Sequence, residues 1–165
     1  MKRGADIIVL LRPDYQYDSK KIPLLIEPIL AKKADIVLGS RILGGGALKG
    51  GMPLYKYISN RFLSYCENKI LGLNLSEYHT GLRAYSRRFL ESIDWQNSSD
   101  DFLFDAQILI KAVHEGFNIV EIPIETRYFK EASQVDFWAG LRYGIGILIE
   151  LARYCINSKV AKKSY

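Results

Sequence analysis

Two stretches, "ADIIVLL" from Ala5 to Leu11 and "ADIVLGSR" from Ala34 to Arg41, decide the fold. The first is apolar on both alternating faces and rich in Ile and Val, the composition of a strand covered on both sides, so it is expected at the centre of a parallel sheet. The second repeats that signal. Between them "KKIPLLIEPILAKKA" reads as a helix, with Pro23 tolerable near its start and Pro28 placed to remove a backbone donor and bend or shorten it. Strand, helix and strand in this order predict a right-handed parallel crossover. The first strand leads into "LRPDYQYD", Leu11 to Asp18, which brings an acid, an amide and a second acid close together. Polar clusters at the carboxyl end of a strand are usually loops, and in open α/β sheets that edge is also where ligands sit.

Downstream, "ILGGGALKGGMP" has five glycines and a proline, which argue against regular structure and mark a mobile or ligand-wrapping loop. It lacks the Lys-Ser or Lys-Thr pair of a Walker A loop. From Leu54 to Leu71, Leu54, Ile58, Phe62 and Tyr65 recur at helical intervals, with Lys56, Asn60, Glu67 and Lys69 elsewhere on the wheel. A helix packed on the sheet is expected. "TGLRAY" (80–85) reads as a strand. "DDFLFDAQILIKAVHEG" reads as a helix with acids in its first turn and Gly116 past its end, and "FNIVEIPIETRY" as a strand with Pro123 at an edge or limit.

The last long element, "DFWAGLRYGIGILIELARYC", carries Arg142, Glu150 and Arg153, too many charges for a comfortable bilayer span. It packs against the sheet or lies on a surface. With the basic "NSKVAKKSY" behind it, a helix resting at the headgroup level of anionic lipid is the second reading. Residues 1–157 are expected to form one domain and 158–165 a basic polar tail.

The chain has 165 residues, 48% of them hydrophobic and 25% charged, ordinary for one globular domain. Its formal charge of +5 favours anionic partners: phosphorylated small molecules, anionic lipid or nucleic acid. No recognition helix or aromatic single-strand platform supports nucleic acid. Cys66 and Cys155 form no C-x-x-C pattern, so neither a disulfide framework nor a zinc site is encoded, and a reducing, cytoplasmic setting is expected. Met1-Lys2-Arg3 leads directly into a strand-like run, without the apolar segment of a secretory signal.

The acidic loop, Gly39-Ser40-Arg41 and "SEYHTGLRAYSRR", in this order and spacing, resemble the catalytic domain of glycosyltransferase family 2, especially members similar to dolichyl-phosphate mannose synthase. The resemblance covers Gly4 to about Tyr154. It implies a partial GT-A, Rossmann-like three-layer α/β sandwich with a mixed, mainly parallel sheet flanked by helices. It also implies inverting transfer of a hexose from a nucleotide diphosphate sugar to a lipid phosphate or a glycan. The alternative is a non-catalytic remnant or subunit that binds a partner chain or a membrane surface.

Such chemistry needs a hard divalent cation and protein cations to meet the charge of a diphosphate leaving group. On the family's Asp-x-Asp-x-Gln pattern, Asp14 and Gln16 are implied as ligands of Mg or Mn, while Arg12 replaces the first aspartate and would repel a metal or contact phosphate itself. Arg41 is implied as a phosphate clamp, which its two-pronged guanidinium suits. Lys56, or Tyr55 in another register, falls on a basic acceptor contact.

Glu77 stands for the family's aspartate, Thr80 for its serine and Leu82 for its phenylalanine, while Gly81 and Arg83 match. Glu77 would orient the acceptor or act as base, a role that matters only for a hydroxyl acceptor. Asp105 is a further candidate acid. His79 and His114 are expected to be structural. Arg127 and Ser133 resemble a late substrate-covering loop in which Ala132 and Gln134 replace glycine and lysine.

The family's domain opens with another strand-helix-strand portion that binds the nucleotide base and ribose, and these 165 residues do not include it. The Ala5 to Leu11 strand would then lack neighbours, so pairing with a second copy or with a separate amino-terminal chain is expected.

Overall fold

A computed structural model describes residues 4–94, 98–99, 101, 103–128 and 137–163, with the side chains of 137 and 158–163 left out. Four strands form one sheet in the order β1-β3-β2-β4: β1 (Ile7–Leu11), β2 (Ile36–Ser40), β3 (Leu82–Ser86) and β4 (Ile119–Pro123). β3 runs antiparallel to β1 and β2 on either side of it, and β4 pairs parallel to β2. The sheet is therefore mixed. β1, β2 and β4 point the same way, but only one of the neighbouring pairs is parallel, so "mainly parallel" holds for strand direction and not for pairing.

The helices are α1 (Ile22–Leu30), α2 (Gly46–Lys49), α3 (Leu54–Leu71), α4 (Arg87–Ser92), α5 (Leu103–His114) and α6 (Phe137–Lys163). Pro28 is accommodated because α1 ends within a turn of it. Gly72 and Gly116, both at positive φ, sit just beyond α3 and α5, where left-handed backbone closes a helix. The short α2 corrects the expectation of a wholly irregular glycine loop, and α6 runs on through most of the basic tail.

The sheet separates two cores. On one side Leu25 and Ile29 of α1 pack against Val37, Leu82 and Ala84. On the other, Ile36, Leu38 and Tyr85 meet Phe89 of α4, Ile108 and Leu109 of α5, and Ile147 and Leu151 of α6. Helix, sheet and helices make the three layers.

Two expectations need correction. β1 lies at the sheet edge: Ile7, Val9 and Leu11 turn toward the α1 core, while Ile8 and Leu10 are each 41% exposed. Its two-faced apolar pattern is real, but no described element covers the second face.

α3 is also turned over. Leu54, Ile58, Phe62 and Tyr65 face outward, and Asn60, Ser64, Glu67 and Leu71 face in. Periodicity located the helix without saying which stripe was buried.

Candidate functional site

The tip of β2 delivers Ser40 and Arg41 into the interior. Ser40 Oγ accepts from the backbone N–H of Ile42 and Leu43, which closes the turn, and it shares a 2.7 Å hydrogen bond with Ser76 Oγ. Glu121 of β4 accepts from both the N–H and the hydroxyl of Ser76. These contacts fix the segment 76–81 above the strand ends.

Arg41 is paired with Glu77. Its Nε donates to Glu77 Oε1 at 2.7 Å, its Nη2 also reaches Oε1, and its backbone N–H donates to Oε2 at 2.7 Å. Asn60 of α3 adds a bond to Oε1 at 2.8 Å. Burial alone would raise the Glu77 carboxyl, yet the Arg41 charge and these hydrogen bonds outweigh it and hold it below the ordinary carboxylate value. Nη1 of Arg41 donates to Tyr128 Oη and Nη2 to the His79 carbonyl. Most of the five donors of this guanidinium are thus engaged inside the protein. Burial pushes the Tyr128 phenol up to about 12, so it stays protonated at neutral pH.

Arg83 of β3 lies beneath the same segment, donating to the carbonyls of Tyr78, Thr80 and Asp105, with the Asp105 carboxylate 3.5 Å from Nη1. Gly81 lets the acidic loop approach: a Cβ there would stand 3.1 Å from both Arg12 Cβ and the Tyr17 ring, while Gly81 itself bonds the Arg12 N–H and the Tyr17 hydroxyl. A side chain there would require Arg12 or Tyr17 to shift by a few tenths of an ångström.

These groups surround one cleft of about 370 Å³ between α3 and α6. Arg12, Arg41, Lys56, Arg83, Gln16 and Asp105 line it together with apolar residues of the two helices. Burial and the Arg41 charge hold the Lys56 ammonium below the usual lysine value. His79 also lines the cleft, its Nδ1 bonded to Tyr143 Oη and its Nε2 3.1 Å from Glu67 Oε2, though not aligned there as a hydrogen bond.

The sequence-predicted residues therefore divide. Glu77 is fully buried under Arg41 and does not line the cleft. Arg127 is exposed and outside it, although its N–H bonds the Gln16 carbonyl. His114 stacks edge-on against Tyr154, away from the cleft. Ser133, Ala132 and Gln134 lie outside the described residues. Sequence reasoning missed Tyr128, Tyr143 and Glu121, which carry no motif, and placed Asn60 only on a helix wheel.

Asp14 is buried and does not line the cleft, although Arg12 and Gln16 on either side of it do. Its Oδ1 accepts from the Gln16 N–H at 3.1 Å, while Oδ2 has no hydrogen-bond partner among the described residues. Tyr15 between them is in the left-handed region, φ 58°, and 88% exposed, so the turn sets both polar neighbours inward. A buried carboxylate oxygen without a donor suits a hard cation. Among the described residues no group of three or more His, Cys, Asp or Glu could hold a metal, so such an ion would draw most of its ligands from phosphate and water.

A mixed sheet between helices, with a cationic cleft at the strand ends, is a GT-A arrangement. A solved structure of glucosyl-3-phosphoglycerate synthase from Mycobacterium tuberculosis, in complex with Mn2+, uridine-diphosphate-glucose and phosphoglyceric acid, has this fold. It matches with a TM-score of 0.64 at 17% identity over 93% of this chain and 51% of its own. No protein-family model matches the chain. A UDP-N-acetylglucosamine–dolichyl-phosphate N-acetylglucosaminyltransferase from Methanococcus voltae is 34% identical over 125 residues, 76% of this chain and 49% of the relative. An undecaprenyl-phosphate mannosyltransferase from Micrococcus luteus is 32% identical over 75% of this chain and 50% of its own length. The polyprenol monophosphomannose synthase of Mycolicibacterium smegmatis is 27% identical over 75% and 46%. The chain is a homologue of these polyprenyl-phosphate glycosyltransferases of family 2. It spans about half the length of the relatives it matches.

Proposed function

We propose that the chain forms the acceptor and metal side of a glycosyltransferase that moves a hexose, with inversion, from a nucleoside diphosphate sugar to a lipid phosphate. The observation that carries this is the cleft itself: one hollow lined both by cations (Arg12, Arg41, Lys56, Arg83) and by apolar residues of α3 and α6 suits a phosphate joined to an apolar chain. The relatives' acceptors favour a lipid phosphate over a glycan.

In this reading Arg12 and Lys56 hold phosphate oxygens, while Arg41 and Arg83, whose donors are engaged within the protein, supply positive charge to the cleft. Glu77 is a positioning residue that keeps Arg41 in place, because its oxygens are already taken. Asp105, the one carboxylate lining the cleft among the described residues, would serve as base for a hydroxyl acceptor. A lipid phosphate is already anionic and needs none. A divalent cation held by Asp14 and Gln16 would offset charge on the diphosphate leaving group.

The open edge of β1 is where further polypeptide would pair, either a second copy or a separate chain carrying nucleotide-binding strands. Light scattering tests this, and a monomer that binds little hydrophobic dye would refute it.

Calorimetry with nucleoside diphosphate sugars and undecaprenyl phosphate, with and without Mn2+, tests the function. Heat with the lipid phosphate, and metal-dependent heat with at least one donor, is expected. No heat with any of them would leave the second reading, a binding subunit without catalysis, which Arg12 in place of an acid favours.

A further inference from the structure

His79, in the segment ahead of β3, is held between two helices. Its Nδ1 shares a 3.0 Å hydrogen bond with Tyr143 Oη of α6, and the two rings meet edge-on. On its other side Nε2 lies 3.1 Å from Oε2 of Glu67 of α3, a residue only 2% exposed. Neither of those two atoms has a hydrogen-bond partner among the described residues, so the contact between them is electrostatic. His79 and Tyr143 line the cleft and Glu67 does not. The three side chains thus run from the interior face of α3 to the cleft surface.

Donor and acceptor rules fix where the hydrogens lie. A carboxylate only accepts, so the nitrogen facing Glu67 carries hydrogen whether the ring holds one proton or two. With one, Nδ1 is bare and the Tyr143 hydroxyl donates to it. With two, Nδ1 donates to Tyr143 Oη, and the phenol proton is released from the ring toward an acceptor in the cleft. Burial, opposed by Arg83 and Arg12 and reinforced by Glu67 and Asp105, holds the Tyr143 phenol well above the ordinary tyrosine value, so it keeps its own proton in both states.

The charges around this cluster favour an anion in front of it. Arg83 and Arg12 act on the Tyr143 phenol, and Nη2 of Arg41 donates to the His79 carbonyl. Asp105 opposes them from α5, but it is paired with Arg83 at 3.5 Å. Tyr78, next to His79, directs its hydroxyl to Asn68 instead. Lys56, Tyr55 and Tyr128 complete the titratable lining among the described residues. An oxyanion held here accepts hydrogen bonds, and it gains none from a phenol whose proton is given to His79.

We propose that Tyr143 is a ligand contact of the cleft, donating to a bound phosphate oxygen when His79 takes up its second proton, with His79 as the positioning residue and Glu67 fixing its tautomer. Anion binding and proton uptake are then one linked event, each favouring the other. This deepens the phosphate reading of the cleft and rests on it for the natural ligand, but the coupling itself requires only an oxyanion.

The test is a nuclear magnetic resonance titration of the histidine ring protons in the 165-residue chain across about pH 5 to 8. The chain has two histidines, so His114→Asn assigns both signals, and His114, away from the cleft, is the internal control. The probe is inorganic sulfate, an oxyanion with no proton to exchange in that range. Sulfate should raise the His79 midpoint by about half a pH unit or more and leave that of His114 in place. Tyr143→Phe keeps the ring and the cleft charges but has no proton to redirect, so the sulfate-induced shift should fall by at least about half, with unchanged circular dichroism. Glu67→Gln, whose amide allows the single imidazole hydrogen on either nitrogen, should shrink it likewise, and it decides the matter if Tyr143→Phe does not fold. A wild-type His79 signal indifferent to sulfate would overturn the proposal. So would a full shift retained in Tyr143→Phe or in Glu67→Gln, because charge proximity alone would then link the anion to the ring. A Tyr143-dependent shift with sulfate in a chain that gives no heat with undecaprenyl phosphate would sink the lipid-phosphate reading and leave the Tyr143 contact standing.

Discussion

Arg41 and Glu77 form a buried, hydrogen-bonded pair that joins the tip of β2 to the segment ahead of β3. The pair has two consequences: it anchors the cleft floor, and it ties stability to pH.

Glu77→Ala leaves a buried guanidinium without its counter-charge and should cost about 3–5 kcal/mol, read from urea unfolding. The Glu77 carboxyl is held below its ordinary value, as is that of Asp35, where burial is outweighed by Arg88, Asn118 and Ser86. Depressed carboxylates contribute stability that is complete above the unfolded-state value near 4.5 for Glu77 and 3.8 for Asp35, and is lost as pH falls through the lower folded values. The wild type should therefore lose stability below about pH 4, and Glu77→Gln should flatten that acid limb.

Two glycines of the 44–51 loop should behave differently. A Cβ on Gly50 would lie 2.1 Å from the Thr126 carbonyl oxygen, an immovable backbone clash, whereas Gly45 has φ 66° and open space around it. Gly50→Ala should cost about 3 kcal/mol and Gly45→Ala about 1 kcal/mol, compared by denaturation midpoint.

Arg12 and Asp14 should act oppositely on cations. Asp14→Ala should abolish Mn2+-dependent heat in calorimetry with a diphosphate ligand, and Arg12→Asp should strengthen Mn2+ binding by about tenfold or more, since a repelling charge becomes a ligand. Unchanged Mn2+ binding in Asp14→Ala would remove that residue from the metal site.

Asp105 is the negative charge among the cleft's cations. Asp105→Asn should tighten binding of inorganic pyrophosphate about threefold, measured by calorimetry at low ionic strength. Weaker binding would mean that Arg83 needs its partner to stay in position.

Much of this was legible in the sequence. Leu54–Leu71 emerged with its observed limits, because proline and glycine punctuate both ends. Arg12 and Gln16 of the loop after β1, Arg41, Lys56 and Arg83 line one cleft. Burial direction was not legible. A stripe of Leu, Ile, Phe and Tyr signals a face, but only the buried Glu77 network, assembled from residues 17 to 36 positions apart, explains why α3 turns its polar stripe inward. β1 misled for a related reason: a strand apolar on both faces reads as central whether or not its neighbour belongs to the described residues. Tyr128 and Tyr143 were invisible because a tyrosine has no spacing rule, and only the tertiary fold brings them to Arg41 and His79.

The unpaired border of β1 also bears on how such a protein must be made. Among the described residues no strand pairs the outer ladder of β1, and an open ladder flanked by the exposed Ile8 and Leu10 is a template for any extended segment, a misfolded sibling included. On the proposed pairing, a strand supplied during synthesis would cover this border, and the yield of correctly assembled molecules should depend on the timing of that encounter.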